Sequence, residues 1–194
     1  MLIYPKSLAG VTLIELMIAV AIVGILLVAG LPEASQWIQN TKIRTASESI
    51  SNGLQLARGE AVRRNTQVEF VLTNSVPIAA NTPALAPVTS GPYWVVRKYQ
   101  TGGYTTADFV QGGGNEVTTS STVVSSTDAN VVFNGLGRTD IVAANLTIQV
   151  TNPTGGACVA ASGPMRCLNV VIQPGGQIRM CDPSIATAGD TRKC

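Results

Sequence analysis

The stretch GVTLIELMIAVAIVGILLVAGL, Gly10 to Leu31, decides how the rest of this 194-residue chain is read. From Val11 to Leu31 its only polar side chains are those of Thr12 and Glu15. At ~1.5 Å of rise per residue the run makes about 31 Å of helix, enough to cross the hydrocarbon core of a bilayer. A secretory signal has a shorter apolar region, about 7 to 15 residues, and ends at a small-x-small cleavage site. Val28-Ala29-Gly30 imitates such a site weakly, and the helical pattern continues past it, so the run is read as a retained membrane helix. Glu15 is the odd residue within it. A charge at the centre of a membrane helix costs about 2.5 to 3.5 kcal/mol, and leucine would anchor at least as well. A carboxylate in this setting points to a function and to a cationic partner; the alternative is a tolerated glutamate near the interface.

Composition agrees with a chain that spends apolar residues outside a core. Apolar residues make up 45% and charged residues 12%, and the mean hydropathy is +0.27. The charged share is about half the roughly 25% of an ordinary soluble domain. With no histidine, the chain can build no Ser-His-Asp triad, no Cys-His pair and no imidazole-ligated zinc or haem. A formal net charge of +2 gives no broad field for nucleic acid or anionic lipid.

Beyond Pro32 the helical period persists. Ile43, Ala46, Ile50, Leu54, Ala57 and Ala61 recur at three- and four-residue steps, with Glu48, Ser51, Gln55 and Arg58 between them. This is one apolar stripe on an amphipathic helix, continuous with the membrane segment from residue 12 to residue 64 and about 80 Å long. Glu60 and Arg64 form an i,i+4 pair of favourable orientation, and Asn65 is the expected stop. The remainder reads as strands: 67–73, 93–99, 117–124, 130–133, 145–151, 168–173 and 177–180. Val76 to Pro92, with four prolines, and the glycine-rich Gly102 to Gly114 read as loops. A helix followed by strands makes an α+β fold, a long N-terminal helix packed on an antiparallel β-sheet domain.

Gly10-Val11-Thr12-Leu13-Ile14-Glu15 resembles the processing site of type IV prepilins and type II secretion pseudopilins. In that family a prepilin peptidase cuts after the glycine on the cytoplasmic side and methylates the new N-terminal amine. The resemblance implies a leader of residues 1–10, cleavage between Gly10 and Val11, and N-methylation of Val11. A residue without a side chain at the cut lets the peptidase approach the backbone. The resemblance also gives Glu15 its cation, the N-terminal amine of a neighbouring subunit, which sets axial register. Two departures are visible: Val11 stands where the family usually has phenylalanine, and Lys6 is the leader's only charged side chain. Pro32 falls where family members often carry a helix-bending proline. Leu54 to Asn65, with Arg58, Glu60, Arg64 and Asn65, narrows the resemblance to the GspH/FimT minor pilins and pseudopilins. Phe133-Asn134-Gly135 and Pro174 to Cys181 resemble that family's later strands and turns.

All four cysteines lie in the last quarter of the chain, which suits disulfides in a periplasm-like compartment. Of three possible pairings, the sequence-local one joins Cys158 to Cys167 and Cys181 to Cys194; a four-cysteine zinc site is the alternative, without any C-x-x-C knuckle to support it. Some family members bind DNA through a C-terminal Gly-Arg-x-Arg motif. Here the matching stretch is Gly176-Gln177-Ile178-Arg179, with the first arginine missing. Arg179 remains, a Cys181 to Cys194 bridge would fold Arg192 and Lys193 beside it, and Arg138 and Arg166 would contribute; Asp182 and Asp190 oppose such a cluster.

The sequence thus divides into a leader (1–10), a membrane helix (11–31), its amphipathic continuation (32–64) and a β domain with a stapled C-terminal region (65–194). The resemblance implies a single-pass inner-membrane subunit with its globular part in the periplasm, assembled with a major pilin and other minor pilins. It is expected to be no enzyme and to need no cofactor or metal. Secretion pseudopilin and DNA receptor are its rivals, and a carboxylate hydrolase using Asp128 and Asp140 lacks a paired motif.

Overall fold

The computed structural model describes residues 10–114, 121–139 and 145–194, without the side chains of 27–33. The chain divides into two units, residues 1–37 and residues 38–194. Among the described residues one α-helix, α1 (Leu13–Arg64), is followed by eight strands: β1 (Val68–Thr73), β2 (Tyr93–Lys98), β3 (Phe109–Gly114), β4 (Val123–Ser126), β5 (Asn130–Phe133), β6 (Leu146–Thr151), β7 (Leu168–Ile172) and β8 (Ile178–Cys181). The strands form two four-stranded antiparallel sheets, ordered β3-β2-β1-β5 and β4-β6-β7-β8.

In the second unit the stripe of α1 is the centre of the core. Ile43, Ala46, Ile50, Leu54, Ala57 and Ala61 are all buried, against Phe70, Trp94, Val96 and Phe133 of the first sheet and Ile148, Val150, Val170 and Ile172 of the second. Each fully buried isoleucine, leucine or phenylalanine contributes about 1.5 to 3 kcal/mol of hydrophobic free energy. Gly53 lets the helix come close to the first sheet. A Cβ there would stand 2.9 Å from a ring carbon of Phe70 and 3.0 Å from Trp94. Those two rings stack at 5.7 Å, and the Trp94 indole N–H donates to Ser49 Oγ at 3.1 Å.

Side chains alternate across a strand, so the other face of β1 and β2 carries Glu69, Val71, Val95 and Arg97, and the connections cover it. Val71, Val95 and Leu85 form a small second core with Phe109. Within the stretch expected to be a plain loop, Ala79–Ala84 is a short 3-10 helix.

The reading of Gly102 to Gly114 as loop is corrected at its end: Phe109–Gly114 is β3, paired with β2. Glycine is required there by packing. A Cβ on Gly112 would collide with Pro77, one on Gly113 with the Trp94 indole, and one on Gly114 with the Tyr93 ring. Of the strand expected over 117–124, residues 117–120 lie outside the described set, and the described strand runs Val123–Ser126. The other strands fall within a residue of expectation.

Candidate functional site

The first unit holds the segment singled out by its sequence. Gly10 has open space where a side chain would be. The helix begins at Leu13, with Thr12 before it: the Glu15 amide donates to Thr12 Oγ1 at 3.3 Å, and the Leu16 amide to the Thr12 carbonyl at 3.2 Å. A threonine with glutamate three residues on is the pattern that satisfies the otherwise orphaned amides of a helix start. Before and behind this cap the described side chains of residues 11–26 are exposed on every side, among them Val11, Leu13, Ile14, Met17, Val20 and Leu26, and Glu15 is exposed with them. Among the described residues no helix is long and apolar enough to cross a membrane. The side chains of Leu27 to Leu31, which complete the apolar run, and of Pro32 lie outside the described set, as do residues 1–9 with Lys6.

The other end of α1 gathers the second motif. Glu60 accepts Arg63 at 2.6 Å and Arg64 at 2.7 Å. The Arg63 hydrogen bond is the foremost cause holding the Glu60 carboxyl below its ordinary range. Asn65 takes φ 49°, and the Asn65 and Thr66 amides return to the carbonyls of Val62 and Ala61. This left-handed cap closes the helix. Arg58 reaches across to the turn after β5, its Nε donating to the Gly137 carbonyl at 3.1 Å. Gly135 lies against Asn65, where a Cβ would meet the Asn65 side chain. Thus Arg58, Asn65 and the Asn134-Gly135 turn, separated in sequence, meet at one corner that fixes the helix end to the sheet.

The C-terminal region is closed by two bonds, Cys158 to Cys167 and Cys181 to Cys194, with Cα atoms 5.4 and 5.1 Å apart. The second folds the tail back along β8: Arg179 Nη1 donates to the Lys193 carbonyl at 2.9 Å, and the Asp182 amide to the Arg192 carbonyl at 2.7 Å. The basic residues do come together here, but each is engaged. Arg192 pairs with Asp190 at 2.8 Å, Lys193 Nζ donates to the Ala186 carbonyl, and Arg166 stands 4.0 Å from Asp182. Hydrogen bonds from Arg192 bring the Asp190 carboxyl down to about 2. Arg138 sits in the turn after β5, where its amide donates to Asn134 Oδ1 and its backbone lies against Gly176. Asp140, one of the two carboxylates of the hydrolase alternative, lies outside the described residues.

Sequence reasoning missed a buried ionic network on the outer face of the first sheet. Arg97 Nε donates to Glu69 Oε1 at 2.6 Å, both side chains being 1% exposed. Arg97 Nη1 also donates to the carbonyls of Leu85, at 2.8 Å, and Thr82, at 3.3 Å. Its guanidinium lies 3.5 Å from the Tyr104 ring centroid. Asn130 donates to the second Glu69 oxygen at 3.3 Å. Burial, followed by its hydrogen bond to Glu69, pushes the Tyr104 hydroxyl up to about 12. This network straps two connections onto the sheet. The unbroken Trp94-Val95-Val96 run was the available signal, since a strand apolar on consecutive residues is covered on both faces.

A capped helix start with exposed apolar side chains in the first unit, and a helix stripe packed under two antiparallel sheets in the second, are the parts of a pilin-like subunit. The chain belongs to the type II transport protein GspH family, whose profile matches residues 46–183, and residues 6–31 match the prokaryotic N-terminal methylation motif. Its fold is similar to that of the type IV minor pilin FimU of Pseudomonas aeruginosa, with a TM-score of 0.53 at 14% identity over 78% of this chain and 97% of that one. The minor pseudopilin EpsH of the Vibrio cholerae type 2 secretion system gives a TM-score of 0.45 at 10% identity, over 74% and 99% of the respective chains. No curated protein matches the chain in sequence.

Proposed function

We propose that the chain is a minor type IV pilin that takes part in starting the filament, near its tip. The observation that carries this reading is the processing-type motif running directly into a helix whose apolar side chains, from Leu13 to Leu26, are exposed. Before assembly the apolar run anchors the subunit in the inner membrane, with the globular unit in the periplasm. After cleavage at Gly10 and methylation of Val11 by the prepilin peptidase, the same run packs among the helices of a major pilin and other minor subunits. It exchanges lipid for helix-helix contact at little hydrophobic cost. Glu15 pairs with the N-terminal amine of a neighbour and sets register; such a pair specifies geometry more than it adds stability. The fold shared with a type IV minor pilin supports a pilin-like subunit. The family's description as a type II transport protein supports the second reading, a pseudopilin.

The test deletes the gene and measures both the major pilin sheared from cells and the proteins exported to the medium. Loss of sheared pilin, restored by the wild-type gene and not by Glu15→Ala, is the expected result. Undiminished pilin overturns the pilus reading, and with it a loss of export assigns the chain to secretion.

A further inference from the structure

Each sheet has two edge strands, and three of the four edges meet another piece of chain. Beyond β5, Phe133 bridges to Thr139; beyond β4, Ser125 bridges to Ser90 and the Ser126 amide donates to the Thr89 carbonyl; at the end of β8, Asp182 bridges to Lys193. At β3, among the described residues, no further segment hydrogen-bonds to the outer side. An open edge is a template for pairing, and proteins that keep one unpaired guard it with lysine, proline or inward charge. The β3 sequence, Phe-Val-Gln-Gly-Gly-Gly, contains none of these; its pairing with β2 shifts register once, at Val110, and is regular from Gln111 to Gly114.

Alongside this edge runs a groove of about 560 Å³ between β3 and α1. Thr45, Ser49 and Asn52 line it from the helix, and Trp94, Gln111 and Gly114 from the sheet. The glycines are fixed by packing against Pro77, Trp94 and Tyr93, and the result is a rim of bare backbone that another backbone can approach closely. The lining is mixed: Leu56 and the Trp94 ring are apolar, while Thr45, Ser49, Asn52 and Gln111 offer hydroxyls and amides. Its one carboxylate, Glu48, is already paired with Arg44 at 2.8 Å. The groove therefore matches an uncharged occupant, whose main chain would satisfy β3 while alternate side chains face Thr45, Ser49, Asn52 and Leu56 of the helix.

We infer that β3 takes an extended, uncharged peptide segment of a neighbouring subunit as an added strand, laid in the groove beside α1. Backbone hydrogen bonds supply affinity in such additions, and the pockets for alternate side chains supply choice of sequence. That the segment belongs to a neighbouring subunit rests on the assembly proposed above; that the edge accepts a strand does not.

The test uses the full chain in detergent micelles and follows amide hydrogen exchange at Val110 to Gly114. The probe is an acetylated and amidated peptide of alternating threonine and valine; its control carries N-methyl groups on alternate amides. Rapid exchange in the chain alone, slowed about tenfold by the probe and not by the control, is expected of strand addition. Gln111→Lys and Asn52→Trp, both at exposed positions, should melt like the parent and weaken the probe about tenfold, by guarding the edge and by filling the groove. Slow exchange in the chain alone, no protection at about 1 mM probe, or equal protection by the methylated control would each overturn the inference. Parent-like binding by both variants would do the same. If the probe binds as expected and Gln111→Lys still restores full pilin in the deletion strain, the strand site stands and its assignment to a neighbouring subunit falls.

Discussion

Arg97 and Glu69 face each other directly across β2 and β1, joined at 2.6 Å with both side chains out of water. Two charges taken out of water regain their hydration only through excellent geometry, so the pair adds less than it appears to, while either partner left alone is costly. Arg97→Met or Glu69→Leu should each destabilise the chain by about 3 to 5 kcal/mol. The double substitution should cost far less than the sum, since neither charge is stranded. Urea melts of the four proteins close the cycle; additive losses would show that the pair is not the unit holding the strap.

Two glycines on the same helix should respond to alanine with opposite signs. At Gly59 the added methyl enters open space, and removing a helix glycine gains roughly 0.5 to 1 kcal/mol. At Gly53 the same gain is opposed by contact with the buried rings of Phe70 and Trp94. Gly59→Ala should raise the melting temperature and Gly53→Ala should lower it. A rise in both would mean that the helix has room to move off the sheet.

Acid should expose Asp108. Its carboxylate accepts the Gln100 side chain at 3.0 Å and the Thr105 amide and hydroxyl at 2.8 Å each, and these bonds, led by Gln100, hold it below its ordinary value of 3.8. A group whose folded pKa is depressed gives stability that is present above its unfolded pKa and lost as pH falls through the folded one. Melting temperature should therefore hold from neutral pH to about pH 4 and fall below it, with a smaller acid decline in Asp108→Asn. Identical declines in the two proteins would remove Asp108 from the account.

The disulfides should act as local staples. In the loop-entropy description each constrains the unfolded chain by on the order of 3 kcal/mol. Cys194→Ser with Cys181→Ser should cost about that amount and release the Arg179 to Lys193 contact, while leaving the Cys158 to Cys167 peptide intact in a non-reducing digest. Recovery of a peptide joining Cys167 to Cys181 in the parent would refute the pairing.

How far the sequence could be read depended on whether a residue's periodicity matched its environment. Ile43 to Ala61 was legible because one face of a helix meets a core every three or four residues, and every member of the stripe is buried. Arg58, Glu60 and Asn65 were legible as a helix end, but the corner that Arg58 and Asn65 make with Gly135 and Gly137 depends on a turn seventy or more residues later. β3 was misread because glycine is a poor strand former on its own terms, and only the positions of Trp94 and Pro77 make it necessary. Arg97 and Glu69 were passed over because a charged residue in a strand ordinarily marks the solvent face; here the covering connections supply the carbonyls that a solvent face would find in water.

The placement of Trp94 has a practical consequence. The chain has two tryptophans. Trp94 is 6% exposed beneath the helix, whereas Trp37 is 70% exposed. Indole emission moves to the red as water reaches the ring, so the fluorescence of this protein carries two separable signals: a blue component that reports whether the globular unit is folded, and a red one at the stem that will change when lipid or another helix arrives. Replacing Trp37 by phenylalanine would leave a spectrum that reads folding alone, and the difference from the parent would follow assembly in real time without any attached dye.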